Sequence, residues 1–458
     1  MDSQKRLGEL KIGKLILEFS VPAIIGMMVN TLYNIIDRVF IGHIPDVGKL
    51  AMAGVGIAMP LMTIIMAFGM LIGIGTATKI SIKLGQNDKQ GAEKLLGNAF
   101  ILLLITGISL TIIGLIFTEP LLKMFGASDT ILIYGKEFIQ VIFCGCIFNM
   151  MSFGLNHSIR SDGSPKIAMT SMLISANINI ILDPIFIFGL NLGVRGGALG
   201  TVVAQAVTAI WVLYYFTKGS SVLKIRKENL KLDKESILSI FAIGIGPFSM
   251  QLANCAVQIV SNNSLQTYGG DLAVGAMTIV NSLSLIFVMP LFGLNQGLQP
   301  IIGYNYGAKN LNRVRKTVKY GITIATIIEV CGFIVIQGFA ENLVLIFNGD
   351  PELIKLAAFG MRTFLFMLPL VGAQIIIANY FQSIGQVRIS MVLSLLRQVI
   401  VLIPCLIIIP MFKGLSGVWM AGPTADLISV IITYSVFIKT SRNYLYESNQ
   451  IQDVALNN

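Results

Sequence analysis

Asp37 is the first residue of this chain whose type and position could do chemistry. It lies in the run NTLYNIIDRVF, where Asn30, Tyr33 and Asn34 precede it at helical spacing on one stripe. A carboxylate within a membrane costs ~2.5–3.5 kcal/mol, so such a residue is a functional hypothesis. The alternative is an ordinary charge at a helix end beside Arg38.

Asp183 is the second such residue, in the run SANINIILDPIFIFG. Asn179 lies one helical turn earlier on the same face, and Pro184 leaves the carbonyl of Ile180 without a helical partner. Counting from residue 167 places Asp183 ~24 Å along its helix. Carboxylate, amide and carbonyl oxygens suit a small cation, and the same carboxylate could bind a proton instead.

Long apolar stretches must position these side chains. Of the 458 residues 12% are charged, whereas a soluble protein carries roughly a quarter. A membrane-spanning helix needs ~20 mostly apolar residues. We therefore predict an all-α integral membrane protein with twelve transmembrane helices, at 15–38, 50–78, 95–117, 131–155, 167–190, 195–217, 236–262, 273–299, 317–338, 353–380, 389–411 and 416–438.

The sequence repeats itself once. Six residues recur 222 positions later: Gly85, Lys94, Phe125, Gly163, Lys166 and Met169 reappear as Gly307, Lys316, Phe347, Gly385, Arg388 and Met391. Each copy holds an even number of helices, so both copies enter the membrane from the same side. This predicts two pseudo-symmetric six-helix lobes around a central cavity with a solute site between them.

The predicted domain boundaries follow from charge and hydropathy. The boundaries are 1–217 for the N-terminal lobe, 218–235 for a charged cytoplasmic linker, 236–440 for the C-terminal lobe and 441–458 for a polar tail.

The net charge of +10 is a topology signal. Twenty-four of the 33 basic residues lie on the side that holds the N-terminus, which predicts both termini in the cytoplasm and a multi-pass protein of the inner (cytoplasmic) membrane. We expect no nucleic-acid partner. The chain has no GxSxG, HExxH or phosphate-cradling glycine motif, so we expect no enzyme activity and no cofactor.

Three further charged residues lie within predicted helices. Arg397 and Asp426 have similar depths in the last two helices, which predicts a structural ion pair in the C-terminal lobe. Glu329 has no evident partner in the sequence, and we assign it no role.

The chain resembles the multidrug and toxic compound extrusion (MATE) transporters, of the bacterial DinF-like and MepA-like branch. The resemblance covers essentially the full length. It is carried by the first helix, SVPAIIGMMVNTLYNIIDRVFIG, and by a fifth helix that ends in LDP.

The resemblance implies an ion-coupling site and a substrate. The implied site, which would bind a metal ion only if coupling uses sodium, is Asp37, Asn179, Asp183 and Thr201. The implied function is Na⁺- or H⁺-coupled export of lipophilic, mostly cationic drugs by a monomer in the lipid bilayer. The polar residues expected along the substrate pathway are Asn30, Tyr33, Asn34, Asn177, Gln205, Gln251, Asn254 and Gln258.

The chain departs from another branch, which resembles NorM and carries acidic residues in helices 7 and 10. Those helices here offer only amides, which concentrates the expected ion coupling on the N-terminal lobe. The oxygen-rich surroundings favour sodium mildly, but sodium and protons both remain open. The alternative function is a lipid-linked oligosaccharide flippase of related fold, which is disfavoured because the lobe interiors carry carboxylates and a single deep arginine.

Overall fold

The structure is a computed structural model that describes residues 3–45, 47–346 and 350–456. The described residues form helices joined mostly by short turns, with one longer connection at residues 218–233, and none of them forms a strand. The helices of the first half are α1 Ser3–Glu9, α2 Ile12–Gly42, α3 Gly48–Gly85, α4 Lys89–Met124, α5 Asp129–Cys144, α6 Cys146–Ser161, α7 Pro165–Pro184 and α8 Val194–Thr217. Those of the second half are α9 Lys234–Gly307, α10 Leu311–Leu345, α11 Pro351–Phe364, α12 Leu368–Ser383, α13 Val387–Leu395, α14 Ile403–Lys413 and α15 Leu415–Leu456.

The predicted membrane spans are all recovered as helices. In the described part of the chain, ten helical segments are long and apolar enough to cross a membrane, and two bent pairs, α5–α6 and α11–α12, bring the number to twelve. Gly270, with φ of +64°, divides α9 into two of these segments. The helices extend beyond the predicted spans by several residues, and α15 continues to Leu456 through most of the predicted tail.

The backbone repeats with the sequence. Positive φ angles recur at Asn87 and Lys309 and at Gly163 and Gly385, two pairs that are each 222 positions apart. The helical geometry also breaks at the same place in both copies, at Phe117 in α4 and Phe339 in α10. The duplication therefore includes turns and kinks as well as helices; Phe347 lies outside the described residues.

The described residues group into two compact units. The first holds Met1–Cys255, Val288–Thr317 and Gln382–Arg388, and the second holds Ala256–Phe287, Val318–Phe381 and Ile389–Asn458. These units differ from the predicted lobes because parts of α9 from the second sequence copy pack within the first unit. The lobe boundaries at residues 217 and 236 stay a prediction.

Glycine permits the closest of these contacts within the first unit. A Cβ added to Gly85 would overlap the carbonyl oxygen of Tyr304, and one added to Gly307 would overlap the carbonyl oxygen of Ile82. Both pairs, Gly85 with Gly307 and Ile82 with Tyr304, are separated by 222 positions. The two sequence copies therefore touch through equivalent atoms, with backbone against backbone.

A second crossing of the same kind joins α3 to the start of α9. A Cβ on Gly75 would overlap the carbonyl oxygen of Ile240, and one on Gly244 would overlap the carbonyl oxygen of Leu71. Both crossings lie toward the helix ends that the charge distribution predicts to face the cytoplasm. We call the two crossings together the glycine contact.

The predicted linker is anchored to the first unit. Asp162, in the turn after α6, accepts hydrogen bonds from the Tyr215 hydroxyl, the Ser221 hydroxyl at 2.7 Å and the backbone N–H groups of Val222 and Leu223 at 3.2 and 3.1 Å. Asp162 is buried, and so is Leu223.

The rest of the linker is held in the same way. Glu93 accepts a hydrogen bond from the backbone N–H of Lys224 and forms an ion pair with Arg226, each at 3.3 Å. Asn98 accepts one from the backbone N–H of Asp233 at 2.7 Å and donates one to the carbonyl of Lys231 at 3.3 Å. These contacts, from residue 221 to 233, make the linker an ordered strap along α4 and the turn after α6.

Alanine at Gly85 or Gly307 should open the glycine contact. The added methyl overlaps a backbone carbonyl, and such overpacking costs about 1–3 kcal/mol. We expect a lower unfolding temperature in detergent and faster maleimide labelling of Ser81→Cys, a buried site, in a chain whose five natural cysteines are replaced.

Gly13→Ala is the matched control, because a Cβ there meets nothing within 4 Å. The assignment is wrong if the variants at Gly85 and Gly307 behave as Gly13→Ala does in both measurements.

Asp162 should make stability depend on pH in a defined direction. Burial raises the pKa of Asp162 from 3.8 to about 6, although its hydrogen bonds act in the opposite direction. A raised pKa in the folded state gives stability that is complete below 3.8 and is lost as the pH rises through about 6. The unfolding free energy of the wild type relative to Asp162→Asn should therefore fall by about 3 kcal/mol across this window.

Asp88→Asn is the control with the opposite sign, since the hydrogen bond from Lys83 lowers the pKa of Asp88. Its stabilising contribution is lost as the pH falls. Unfolding followed by circular dichroism in detergent over a pH series measures both. A parallel dependence in the two variants would contradict the assignment.

Candidate cation site

The four residues expected at the ion-coupling site lie on three helices that pack together. Asp37 is near the end of α2, Asn179 and Asp183 are in the last turns of α7, and Thr201 is in the second turn of α8. The helices α2, α7 and α8 contact one another pairwise. Asn179 and Asp183 are buried, and Asp37 and Thr201 are half-buried.

Asn179 forms hydrogen bonds to both Asp183 and Thr201. Its Nδ2 donates to Asp183 Oδ1 at 3.0 Å and to Thr201 Oγ1 at 3.3 Å. The carboxyl groups of Asp37 and Asp183 are within hydrogen-bonding reach of each other. Two carboxylates this close repel each other, so the pair needs a proton or a cation between them.

Three oxygen atoms at this place are buried and have no hydrogen-bond partner among the described residues. They are Asp37 Oδ1, Asn179 Oδ1 and Asp183 Oδ2. Unpaired buried oxygens are costly, and a bound cation with oxygen ligands would satisfy all three. The described residues contain no cluster of three or more His, Cys, Asp or Glu side chains that could hold a metal ion.

Two glycines of α8 make room for the carboxyl groups. A Cβ on Gly200 would overlap Asp183 Oδ1, and a Cβ on Gly197 would lie 3.3 Å from Asp37 Oδ1. Neither glycine was expected at the site from the sequence. The only signal was the run RGGALGT, which places Gly197 and Gly200 one turn or less before Thr201.

The polar stripe of α2 divides into two parts. Tyr33 is half-buried and close enough to Asp37 and Asp183 for electrostatic interaction, so it belongs with the site. Asn34 is exposed and donates from Nδ2 to the carbonyl of Asn30 on its own helix, at 2.6 Å.

The remaining residues of the expected substrate pathway do not join this cluster. Asn177 is exposed and donates to the carbonyl of Leu173, and Gln205 is half-buried on α8. Gln251 accepts a hydrogen bond from Asn254 at 3.2 Å. Gln258 is exposed and belongs to the second compact unit. Their role in a pathway stays a prediction.

Helix geometry changes directly after Asp183. A π-helical segment, Ile185–Gly189, follows Pro184, and π-helical turns occur mostly as single turns at functional sites. A second π-helical segment, Leu396–Leu402, contains Arg397, whose Nε donates to a carboxylate oxygen of Asp426. The structure therefore forms the ion pair that the equal depths predicted.

Comparisons with known proteins agree with this architecture. The MatE family model matches residues 22–185 and again residues 248–407. A relative named Multidrug export protein MepA, from Staphylococcus haemolyticus, is 31% identical over 433 residues, which are 93% of this chain and 94% of that protein.

Two solved structures are similar over nearly their whole length. The MATE multidrug transporter DinF-BH in complex with R6G has a TM-score of 0.87 at 37% identity, over 93% of this chain and 95% of its own. A crystal structure of MATE in the bent conformation has a TM-score of 0.91 at 25% identity, over 98% and 99%. With its twofold MatE match and its paired six-helix repeats, the chain belongs to the MATE family of multidrug efflux transporters.

Proposed function

We propose that the protein is an antiporter that exports lipophilic, mostly cationic drugs in exchange for Na⁺ or H⁺ by alternating access. The paired carboxyl groups of Asp37 and Asp183, with Asn179 and Thr201 beside them, are the coupling site. The observation that carries this proposal is the set of three unpaired buried oxygens around two adjacent carboxyl groups.

Electrostatic competition for the two carboxyl groups explains how the drug and the coupling ion exchange. Within a low-dielectric helix bundle the ionised pair requires a compensating positive charge. The coupling ion and a cationic drug both carry such a charge, so each disfavours the other when they use the same carboxyls. This effect is reciprocal by thermodynamic linkage. If the drug lowers the affinity for the ion by some factor, the ion lowers the affinity for the drug by the same factor.

The site has features that suit each coupling ion. The Asp37 and Asp183 carboxyl groups are close enough to form a hydrogen bond with each other. Such a bond requires a proton on one of the two groups, so the geometry suits a shared proton. The unpaired oxygens of Asp37, Asn179 and Asp183 suit Na⁺, which takes oxygen ligands. Either ion reduces the negative charge of the same pair by one, so the cycle is the same for both.

The remaining parts of the proposal follow from the sequence. The basic residues favour an inner-membrane protein with both termini in the cytoplasm. The names of relatives such as MepA support drug export over oligosaccharide flipping. We propose that it works as a monomer and catalyses no reaction, with drugs as substrates.

Asp37→Asn and Asp183→Asn should each abolish cation-drug efflux while the protein still folds. The amide keeps the shape and removes the charge that binds the competing cations. Ethidium efflux from whole cells, with expression measured in parallel, tests this. Efflux at the wild-type level in both variants would contradict the assignment of Asp37 and Asp183 as the coupling site.

Gly200→Ala should impair efflux without changing any charge, because the methyl overlaps Asp183 Oδ1. We expect at least a tenfold loss, equivalent to about 1.4 kcal/mol of binding. Gly56→Ala is the matched control, since a Cβ at Gly56 meets nothing within 4 Å. Equal efflux by the two variants would show that the space around Asp183 has no role.

Imposed gradients should identify the coupling ion. Protein in liposomes is given an inward Na⁺ gradient or an inward H⁺ gradient separately, and ethidium counterflow is followed. Asp183→Asn is the control and should respond to neither. If neither gradient drives counterflow in the wild type, the antiport proposal fails.

A further inference from the structure

Glu329 is a buried carboxyl group that the proposed site does not use. It lies about midway along α10, within the second compact unit, and is fully buried. Both of its carboxyl oxygens lack a hydrogen-bond partner among the described residues. A buried carboxylate in this situation is strongly unfavourable, and such a group neutralises itself by taking up a proton.

Among the described residues, Arg397 is the one charged group that interacts electrostatically with Glu329. Gly372 of α12 lies so close that a Cβ there would be 3.0 Å from Glu329 Cγ, and Phe287 of α9 packs against Gly332 on the next turn of α10. Neither carries charge. Arg397 interacts electrostatically with Glu329 from the π-helical segment between α13 and α14.

Arg397 cannot compensate two carboxylates at once. Its Nε donates to Asp426 on α15, which is itself buried, so its charge is already matched. An ionised Glu329 would add an uncompensated negative charge inside the unit, which costs several kcal/mol. One arginine facing two carboxyl groups therefore leaves one proton to be bound.

We propose that Glu329 is a proton-binding site of the second compact unit, and that its proton passes to Asp426 when Arg397 exchanges Asp426 for the Glu329 carboxylate. The site uses none of the residues of the Asp37–Asp183 pair. It goes beyond the proposed function, since it gives the second half of the chain an ion-binding group of its own.

One face of α15 extends from the Arg397 partner. Asp426, Ser429 and Thr433 follow at spacings of three and four residues and therefore share a face. Both hydroxyl-bearing residues are buried, and neither hydroxyl oxygen has a partner among the described residues. This face supplies hydroxyl groups along which a released proton could travel toward the end of α15 predicted to lie at the cytoplasm.

Infrared difference spectroscopy tests the proposal on the full-length protein in liposomes. A step from acidic to alkaline buffer should remove the carbonyl band of a protonated carboxyl from the wild type. In Glu329→Gln the band should be smaller by the contribution of Glu329, and Asp37→Asn and Asp183→Asn should retain that contribution. A band of equal size in Glu329→Gln would overturn the proposal.

Asp426→Asn tests the partner exchange with a different variant. Without the Asp426 carboxylate, Arg397 is free to pair with Glu329. The Glu329 band should then be lost in more acidic buffer than in the wild type, by about one pH unit or more, which is a tenfold change in proton affinity. A purely structural Asp426 would leave this transition where it is, and an unchanged transition would refute the exchange.

Two outcomes separate this proposal from the proposed function. Loss of efflux in Asp37→Asn with the Glu329 band intact supports both. Retained efflux in Asp37→Asn and Asp183→Asn removes the coupling site of the first unit but leaves the Glu329 result standing. Absence of any titrating band assigned to Glu329 refutes this inference alone.

Discussion

The structure depends on the cost of placing carboxyl groups where water is scarce. Asp37 and Asp183 lie within hydrogen-bonding reach of each other, and Asp183 is fully buried. Such a pair is stable only with a positive charge nearby or a proton shared between the carboxyl groups. The relatives of this chain are named as drug exporters. Gly197 and Gly200 leave the space that the two carboxyl groups occupy.

Glycine has two distinct roles in this fold. At Gly200 the missing side chain leaves room for a carboxyl group, whereas at Gly85 and Gly307 it lets backbone meet backbone. Both sequence copies use glycine in the second way, at equivalent residues that are 222 positions apart. Small residues at helix crossings provide packing in a bilayer, where apolar surface alone does not hold helices together.

Much of the fold could be predicted from the sequence because hydropathy and the repeat act over long stretches. The twelve spans and the pairing of Arg397 with Asp426 follow from hydropathy and from similar depth in the helices, whereas the grouping of Asp37 with Asp183 was implied by the resemblance to the MATE family. The anchoring of the linker by Asp162 could not be foreseen, since it depends on backbone N–H groups of Val222 and Leu223 that carry no sequence signal. The two compact units also depend on contacts between residues far apart in the chain.

The ordered strap has a consequence for how the halves of the chain are connected. The connection is held by hydrogen bonds and an ion pair from residue 221 to 233, and α9 begins directly after it at Lys234. Displacement of later parts of α9 must therefore be absorbed by bending within the helix. Pro247, Pro290 and Pro300 lack a backbone donor, and Gly270 has a φ of +64°. These are positions at which α9 can bend.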